Sequence, residues 1–432
     1  MRSFLCLILV CCFLCSCSTK AETKENQYNF DDKEYFVSKI TQRDDETDPS
    51  VDSATKESDT AQLNGIWVSQ FDMSPIYRDG NKQREENDFR NKIETMMKNL
   101  VRDGFDTIFL QMRPNGDSMY RSEIYPLSKY IAGTYGGSIE YDAVGIFLDI
   151  AERYNISVHA WINPFRLCKK NDLENNGSGI LYEWLREGIG QRIDLGEDGL
   201  FYLDPSYPEA TELIASGARE ILLKYDFDGI HIDDYFYPTE FELDDEREFL
   251  KSGYSDKGDF RRANIDRTVK ALYNVAHEFE GKVFGVAPAG NIYSLSVGWY
   301  ADIYKWCEED GFVDYVMPQL YFGFENATCP FKQILRDWES AIKNDKIALY
   351  IGLSAAKCAL GSNGIADTFA GEKGKFEWRD SKDILKRSYI EIENSSASGF
   401  CIFTYSSFYD PLTGDDNALT ADEKELFCEI II

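Results

Sequence analysis

A short apolar run, Gly229-Ile230-His231-Ile232, ends in two adjacent carboxylates, Asp233 and Asp234, followed at once by Tyr235, Phe236, Tyr237 and Pro238. Acids delivered by a strand to its carboxyl end, beside aromatic faces that can stack on a ring, suit acid catalysis on a glycosidic bond. The competing reading is an ordinary barrel strand whose exit carries exposed acids and packed aromatics. Side chains alternate along a strand, so His231, Asp233 and Tyr235 share one face, while Ile230, Ile232 and Asp234 share the other. Ile230 and Ile232 suit the face turned to surrounding helices, which points Asp233 into the mouth and makes it the first choice for the chemistry. Asp234 reaches the same space only if the strand bends or ends there.

Elements that could hold such a site recur along the chain. Eight β-type runs, beginning near Gly65, Thr107, Ser157, Gly229, Val283, Tyr315, Ala348 and Gly399, alternate with helical patterns over 88–102, 142–154, 208–224, 260–279, 296–308, 330–344 and 381–393. Strand-helix alternation implies parallel strands joined by crossovers, and eight units close a (β/α)8 barrel of the α/β class. An open doubly wound sheet is the runner-up, but no Gly-rich phosphate loop follows the first strand. After the first 60 residues roughly 370 remain, against about 250 in a minimal barrel, so the surplus is expected in long loops over 164–206 and 235–259. The last helical pattern, 421–432, closes the final unit, and no C-terminal accessory domain is expected.

In such barrels the active site gathers at the strands' carboxyl ends. Those exits carry Gln70 and Asp72, Gln111 and Arg113, Asn163, Asp233, Gln319 and Tyr321, and Ser406. Hydrogen-bonding groups interleaved with aromatics compose a carbohydrate cleft, with no cofactor signal. Asn163, Gln319 and Tyr321 would bind hydroxyl or acetamido groups, the alternative being capping of loop backbone. Arg113 would hold a carboxylate, the alternative being an ion pair with Asp233 or Asp72. Asp204, His231, Tyr235 and Tyr237 complete the candidate substrate contacts, although His231 and His159, mid-strand, read better as hydrogen-bonded core residues.

Two acting acids stand roughly 5 to 5.5 Å apart for retention and 6.5 to 9.5 Å for inversion, distances that adjacent residues with diverging side chains need not meet. Besides Asp234, the candidates for a partner are Asp72 at the first strand end and Asp117, Glu123, Asp204 and Glu325 on loops; a substrate acetamido group is a further alternative. With three histidines and no H-x-x-x-H spacing, a zinc hydrolase or metal-dependent deacetylase is disfavoured. No metal or cofactor is expected, although Asp233 and Asp234 would suit an oxygen-rich Ca²⁺ or Mg²⁺ site.

Met1-Arg2, a short apolar stretch over 4–14, and Leu14-Cys15-Ser16-Cys17 resemble a bacterial lipoprotein signal in which Cys17 becomes the acylated first mature residue. The apolar stretch falls short of the roughly 20 residues that span a bilayer, so it reads as a leader over 1–17 rather than a membrane helix. Residues 18–60, rich in Asp, Glu, Lys, Ser and Thr, read as a flexible acidic linker ahead of a barrel over 61–432. Export follows, with tethering to the outer face of the membrane through lipid at Cys17. A net charge of −29, from 75 acidic and 46 basic residues, argues against nucleic acid as a partner. Of 11 cysteines, five fall in the leader and the rest show no C-x-x-C pair, so neither a zinc knuckle nor a compact disulfide scaffold is indicated.

The blocks Gly65-Ile66-Trp67-Val68, Gln111 to Asp117, His159 to Arg166, Tyr202 to Pro205, Asp228 to Pro238, Arg261 to Asn264 and Pro318 to Tyr321 together resemble the glycosyl hydrolase-like 10 family, in order from about Leu63 to Ser354. The resemblance implies a (β/α)8 glycoside hydrolase, commonly exported or lipid-anchored, acting on bacterial cell-wall glycan such as peptidoglycan strands. The chain departs from the family pattern at Phe260, where Trp is usual, and at Ala287 to Gly290, where Ser-Pro-Phe-Gly is usual.

Overall fold

A computed structural model describes residues 62–432 apart from 177–178, 187–192, 197, 234–235 and 239–244. The leader, Cys17, the 18–60 stretch, Asp234 and Tyr235 lie outside the described residues. Eight parallel strands form the centre: β1 (Leu63–Val68), β2 (Thr107–Arg113), β3 (Ser157–Ile162), β4 (Gly229–Ile232), β5 (Val283–Val286), β6 (Tyr315–Val316), β7 (Ala348–Leu349, continued by Ile351–Ser354) and β8 (Gly399–Phe403). The first part of β7 pairs with β6 and the second with β8, so neighbours run β7-β6-β5-β4-β3-β2-β1-β8-β7 and the sheet closes on itself. Closure removes every free edge.

The crossovers are α1 (Glu86–Arg102), α2 (Ala143–Arg153), α3 (Pro208–Lys224), α4 (Lys257–Ala276), the short α5 (Ile292–Gly298) and α6 (Ile303–Trp306), α7 (Phe331–Ala341) and α8 (Ile384–Glu393), with α9 (Ala421–Ile431) after β8. Their sequences dictate both ends and faces. In α1, Phe89, Ile93, Met96, Met97 and Leu100 recur at helical spacing and are buried. Asp142 caps α2 by accepting from the Gly145 N–H, and Pro208 opens α3, where a missing N–H costs nothing.

Period-two alternation sorts the strands into two cores. Ile66, Ile108, Leu110, Ile162, Ile230, Ile232, Phe284 and Ile402 join the shell between barrel and helices. Trp67, Phe109, Trp161, Tyr315, Met317, Tyr350 and Cys401 fill the barrel. A polar chain runs through this filling. Trp67 Nε1 donates to His231 Nε2 at 3.1 Å, which leaves the proton on His231 Nδ1, 3.0 Å from Tyr315 Oη; that hydroxyl in turn lies 3.3 Å from His159 Nδ1. Burial lowers both imidazoles, His159 to about 4 and His231 well below its usual range, so both are neutral. Tyr315 fits because β5 carries Gly285 beside it; a Cβ there would overlap the Tyr315 ring.

Two elements differ from expectation. The helix expected over 296–308 is broken between α5 and α6, where Tyr300 adopts φ 52°. The sixth strand stops at Val316 because Pro318 has no N–H for the ladder, and pairing resumes as single bridges from Gln319 to Ala289 and Gly352. Surplus length lies over 164–206, as expected, where strands Arg166–Lys169, Ile193–Leu195 and Leu200–Leu203 form a small antiparallel sheet, and also in the connection from Pro114 to Asp142. Among the described residues no helix is long and apolar enough to cross a membrane.

Candidate active site

Asp233 is the first residue past β4 and is 5% exposed. It follows inward-facing His231 by two, so it points into the mouth above the packed filling. Asn163 stands at the same height past β3 and donates from Nδ2 to Asp233 Oδ2 at 2.6 Å. Asn163 Oδ1 accepts from Gln111 Nε2 at 2.7 Å, and Gln111 Oε1 accepts from the Gln70 backbone N–H at 2.9 Å. Four consecutive barrel exits are thereby joined. In the sequence Gln111 is one polar exit residue among many; the signal that singles it out is that Gln111, Asn163 and Asp233 share the inward parity of Phe109, Trp161 and His231.

Arg113 lies elsewhere. The β2–β3 register slips at Met112, so Arg113 stands opposite Ile162, an outward-facing residue, instead of Asn163. Its Nη1 donates to Tyr125 Oη, and its Nη2 lies 3.3 Å from the Asn163 carbonyl and 3.4 Å from that of Pro164. The guanidinium holds up the loop after β3 and pairs with neither Asp233 nor Asp72.

His231 is fully buried with both ring nitrogens engaged, below the mouth rather than in it. Tyr237 is also fully buried, and its hydroxyl donates to Asp245 Oδ2 at 2.5 Å. Asp245 is gripped by Arg261 at 2.7 and 3.0 Å and by Lys257 at 2.9 Å. Burial pulls the Asp245 carboxyl upward, but these partners hold it below the usual carboxylate range. Tyr237 also borders a small void with Phe165, Arg166, Tyr202, Phe236, Pro238 and Trp299, on the loops that leave β3, β4 and β5, with room for about one water molecule. Gln319 donates from Nε2 to the Ala287 carbonyl at 2.9 Å, and Tyr321 packs against Phe403; both remain partly exposed.

The carboxylates expected near the mouth divide by what they hold. Asp72, fully buried, accepts from Ser69 N at 2.6 Å, Ser69 Oγ at 2.8 Å, Ser406 N at 3.0 Å and Thr404 Oγ1 at 3.3 Å, tying the exit of β1 to that of β8. Burial raises it and these bonds lower it, with burial the stronger. Asp117 accepts from the Asn115 N–H within its own loop, Glu325 pairs with Lys373, and Glu123 is exposed near Lys224. Asp204 differs from all of these. It has no exposed surface; Oδ1 accepts from Ser206 N at 2.8 Å, while Oδ2 is buried without a hydrogen bond. Burial pushes this carboxyl up to about 6. Leu203 N donates to Phe165 O, which seats Asp204 beside the loop that begins at Asn163.

Among the described residues no group of three or more His, Cys, Asp or Glu side chains converges as metal ligands. A buried carboxylate aligned by an amide donor can act as a base or nucleophile.

The family model for "Glycosyl hydrolase-like 10" matches residues 62–367. The chain is 29% identical over 336 residues to "Glycosyl hydrolase DigH" of Escherichia coli strain K12, covering 70% of this chain and 75% of that protein. It is 26% identical over 324 residues to "Glycosyl hydrolase YngK" of Bacillus subtilis strain 168, covering 68% of this chain and 61% of that protein. Among solved structures, the PgaB (BpsB) glycoside hydrolase domain of Bordetella bronchiseptica superposes with TM-score 0.52 at 12% identity, covering 85% of this chain and 99% of that one. The catalytic domain of β-amylase from Paenibacillus polymyxa gives 0.50 at 10% identity, with the same coverage. Those two likenesses show the barrel fold, and the match over 62–367 makes the chain a member of the glycosyl hydrolase-like 10 family.

Proposed function

We propose that this protein is an exported glycoside hydrolase that cleaves O-glycosidic bonds in bacterial cell-wall glycan of the amino-sugar, peptidoglycan type, with Asp233 as a catalytic carboxylate. The observation that carries the reading is the buried Asp233 aimed into the barrel mouth and held at 2.6 Å by Asn163. Membership of a hydrolase-like family and relatives named glycosyl hydrolases support the reaction class. The part-exposed Gln319 and Tyr321 at neighbouring exits support a substrate bearing hydroxyl and acetamido groups. The second carboxyl is Asp234, next in the chain, or Asp204, whose raised titration keeps a proton available close to neutral pH. Asn163 aligns Asp233, Arg113 supports the loop after β3, and lipid on Cys17 tethers the protein to the outer face of the membrane.

The test is incubation with purified, peptide-stripped cell-wall glycan, with mass spectrometry of new reducing ends. Wild type releases fragments, while Asp233→Asn loses about 10²-fold or more in rate at an almost unchanged thermal midpoint. Full turnover by that variant overturns the assignment. Asp204→Asn and Asp234→Asn, assayed separately, identify the proton donor. Binding without cleavage by the wild type would mark a glycan-binding lipoprotein, and activity abolished by a chelator would mark a metal-dependent esterase or deacetylase.

A further inference from the structure

The row of amides that ends at Asp233 has a direction. It starts at a backbone N–H, that of Gln70, which can only donate. Gln111 must therefore turn Oε1 toward it, at 2.9 Å, and this leaves the Gln111 NH₂ facing Asn163. Asn163 must answer with Oδ1, at 2.7 Å, which turns its own NH₂ toward Asp233, at 2.6 Å. Gln70, Gln111 and Asn163 are 3, 2 and 0% exposed, so water cannot substitute for a partner that flips. Reversing either amide would set donor against donor at one end and acceptor against acceptor at the other. The last link thus reaches Asp233 as a donor, and a donor favours the ionised carboxylate over the acid.

We propose that Gln111 is a positioning residue that acts through Asn163 to hold Asp233 as an anion, making Asp233 the base or nucleophile and leaving proton donation to another carboxyl. This rests on the reading of Asp233 as a catalytic carboxylate. It deepens that reading by assigning Asp233 one of the two roles a glycosidase needs. Among the described residues, the charged and titratable groups on the strands around Asp233 are His231 on β4, His159 on β3, Tyr315 on β6 and Arg113 on β2. The two imidazoles and the phenol are engaged with one another inside the barrel, and the Arg113 guanidinium is turned to Tyr125 and to the carbonyls of Asn163 and Pro164. The β5 exit, Ala287 to Gly290, has no titratable side chain.

The experiment follows the Asp233 carboxyl directly. Protein labelled with ¹³C at the aspartate carboxyl carbons is titrated by NMR, with Asp233→Asn identifying the signal. The wild-type Asp233 signal supplies the reference titration. In Gln111→Glu an acceptor replaces the donor NH₂ and Asn163 must turn its carbonyl to Asp233, so the titration should rise by about one pH unit or more. With peptide-stripped glycan as substrate, the acidic limb of kcat/KM should move by the same amount while KM stays close to wild type. Gln111→Met, of similar length and without hydrogen bonds, should shift both in the same direction by less, and it decides the matter if Gln111→Glu does not fold. An Asp233 titration that is identical in wild type and in a folded variant overturns the proposal. Failure of the wild type to cleave the glycan overturns the proposed activity instead, and the carboxyl titration still decides the relay.

Discussion

Asn163 meets Asp233 through a 2.6 Å hydrogen bond between the exits of β3 and β4, with Asn163 fully buried and Asp233 5% exposed. A buried carboxylate tolerates burial only with such donors. Replacing Asn163 with Leu should lower kcat/KM on peptide-stripped glycan by about 10²-fold or more. It should also destabilise the fold by about 2 to 3 kcal/mol, because a charged acceptor loses its partner. Initial rates and urea unfolding measure the two effects.

Asp72 holds the seam where the first strand meets the last. It is fully buried and takes hydrogen bonds from both sides, so Asp72→Ala strands the N–H of Ser406 and the hydroxyls of Ser69 and Thr404. A loss of about 2 to 4 kcal/mol in denaturant unfolding is expected. Asp72→Asn, which keeps one acceptor oxygen, should lose less. Equal stability of wild type and Asp72→Ala would show that the seam does not depend on this carboxylate.

Gly285 makes room for the Tyr315 ring, which links the two interior histidines. Gly285→Ala should force that ring aside and cost about 1 to 3 kcal/mol or more, read as a lower urea midpoint with an unchanged slope. Gly298→Ala, where a Cβ would meet nothing within 4 Å, is the control and should leave the midpoint almost unmoved.

Glu423 introduces a pH dependence far from the mouth. It accepts from the backbone N–H groups of Ile384 and Leu385 at the start of α8, at 3.0 and 3.1 Å, and burial pushes its carboxyl up from 4.5 to about 7. A carboxyl raised in the folded state binds its proton more tightly there than in the unfolded chain. Its stabilisation is therefore complete below about pH 4.5 and is lost as pH rises through about 7, a change of at most about 3 kcal/mol. The unfolding free energy of the wild type minus that of Glu423→Gln should fall across this window. A difference that stays flat with pH would contradict the assignment.

Much of this was legible because it is local. The eight strands, the (β/α)8 order and the inward direction of Asp233 follow from period-two and helical patterning, which covalent geometry imposes on each element separately. The same rule placed Ile230 and Ile232 among the helices, where they lie. It does not reach Arg113, because one bulged residue at Met112 reverses parity after it, and no residue type around Met112 announces the slip. Likewise the pattern over 296–308 was helical in character, but the turn at Tyr300 divides it where its ring packs on Tyr237 and its hydroxyl accepts from Arg261.

The sequence by itself determined the barrel, its exits and a carboxylate facing the mouth, since alternation and crossover length depend only on near neighbours in the chain. Tertiary structure alone decided what each polar group is for. It assigned Asp72 to the β1–β8 seam and Asp245 to Arg261, left one oxygen of Asp204 buried without a hydrogen bond, and aligned Gln70, Gln111 and Asn163 toward Asp233. Those choices depend on register and closure, which bring residues distant in the chain within 3 Å, and on burial, which makes every unmatched donor or acceptor costly.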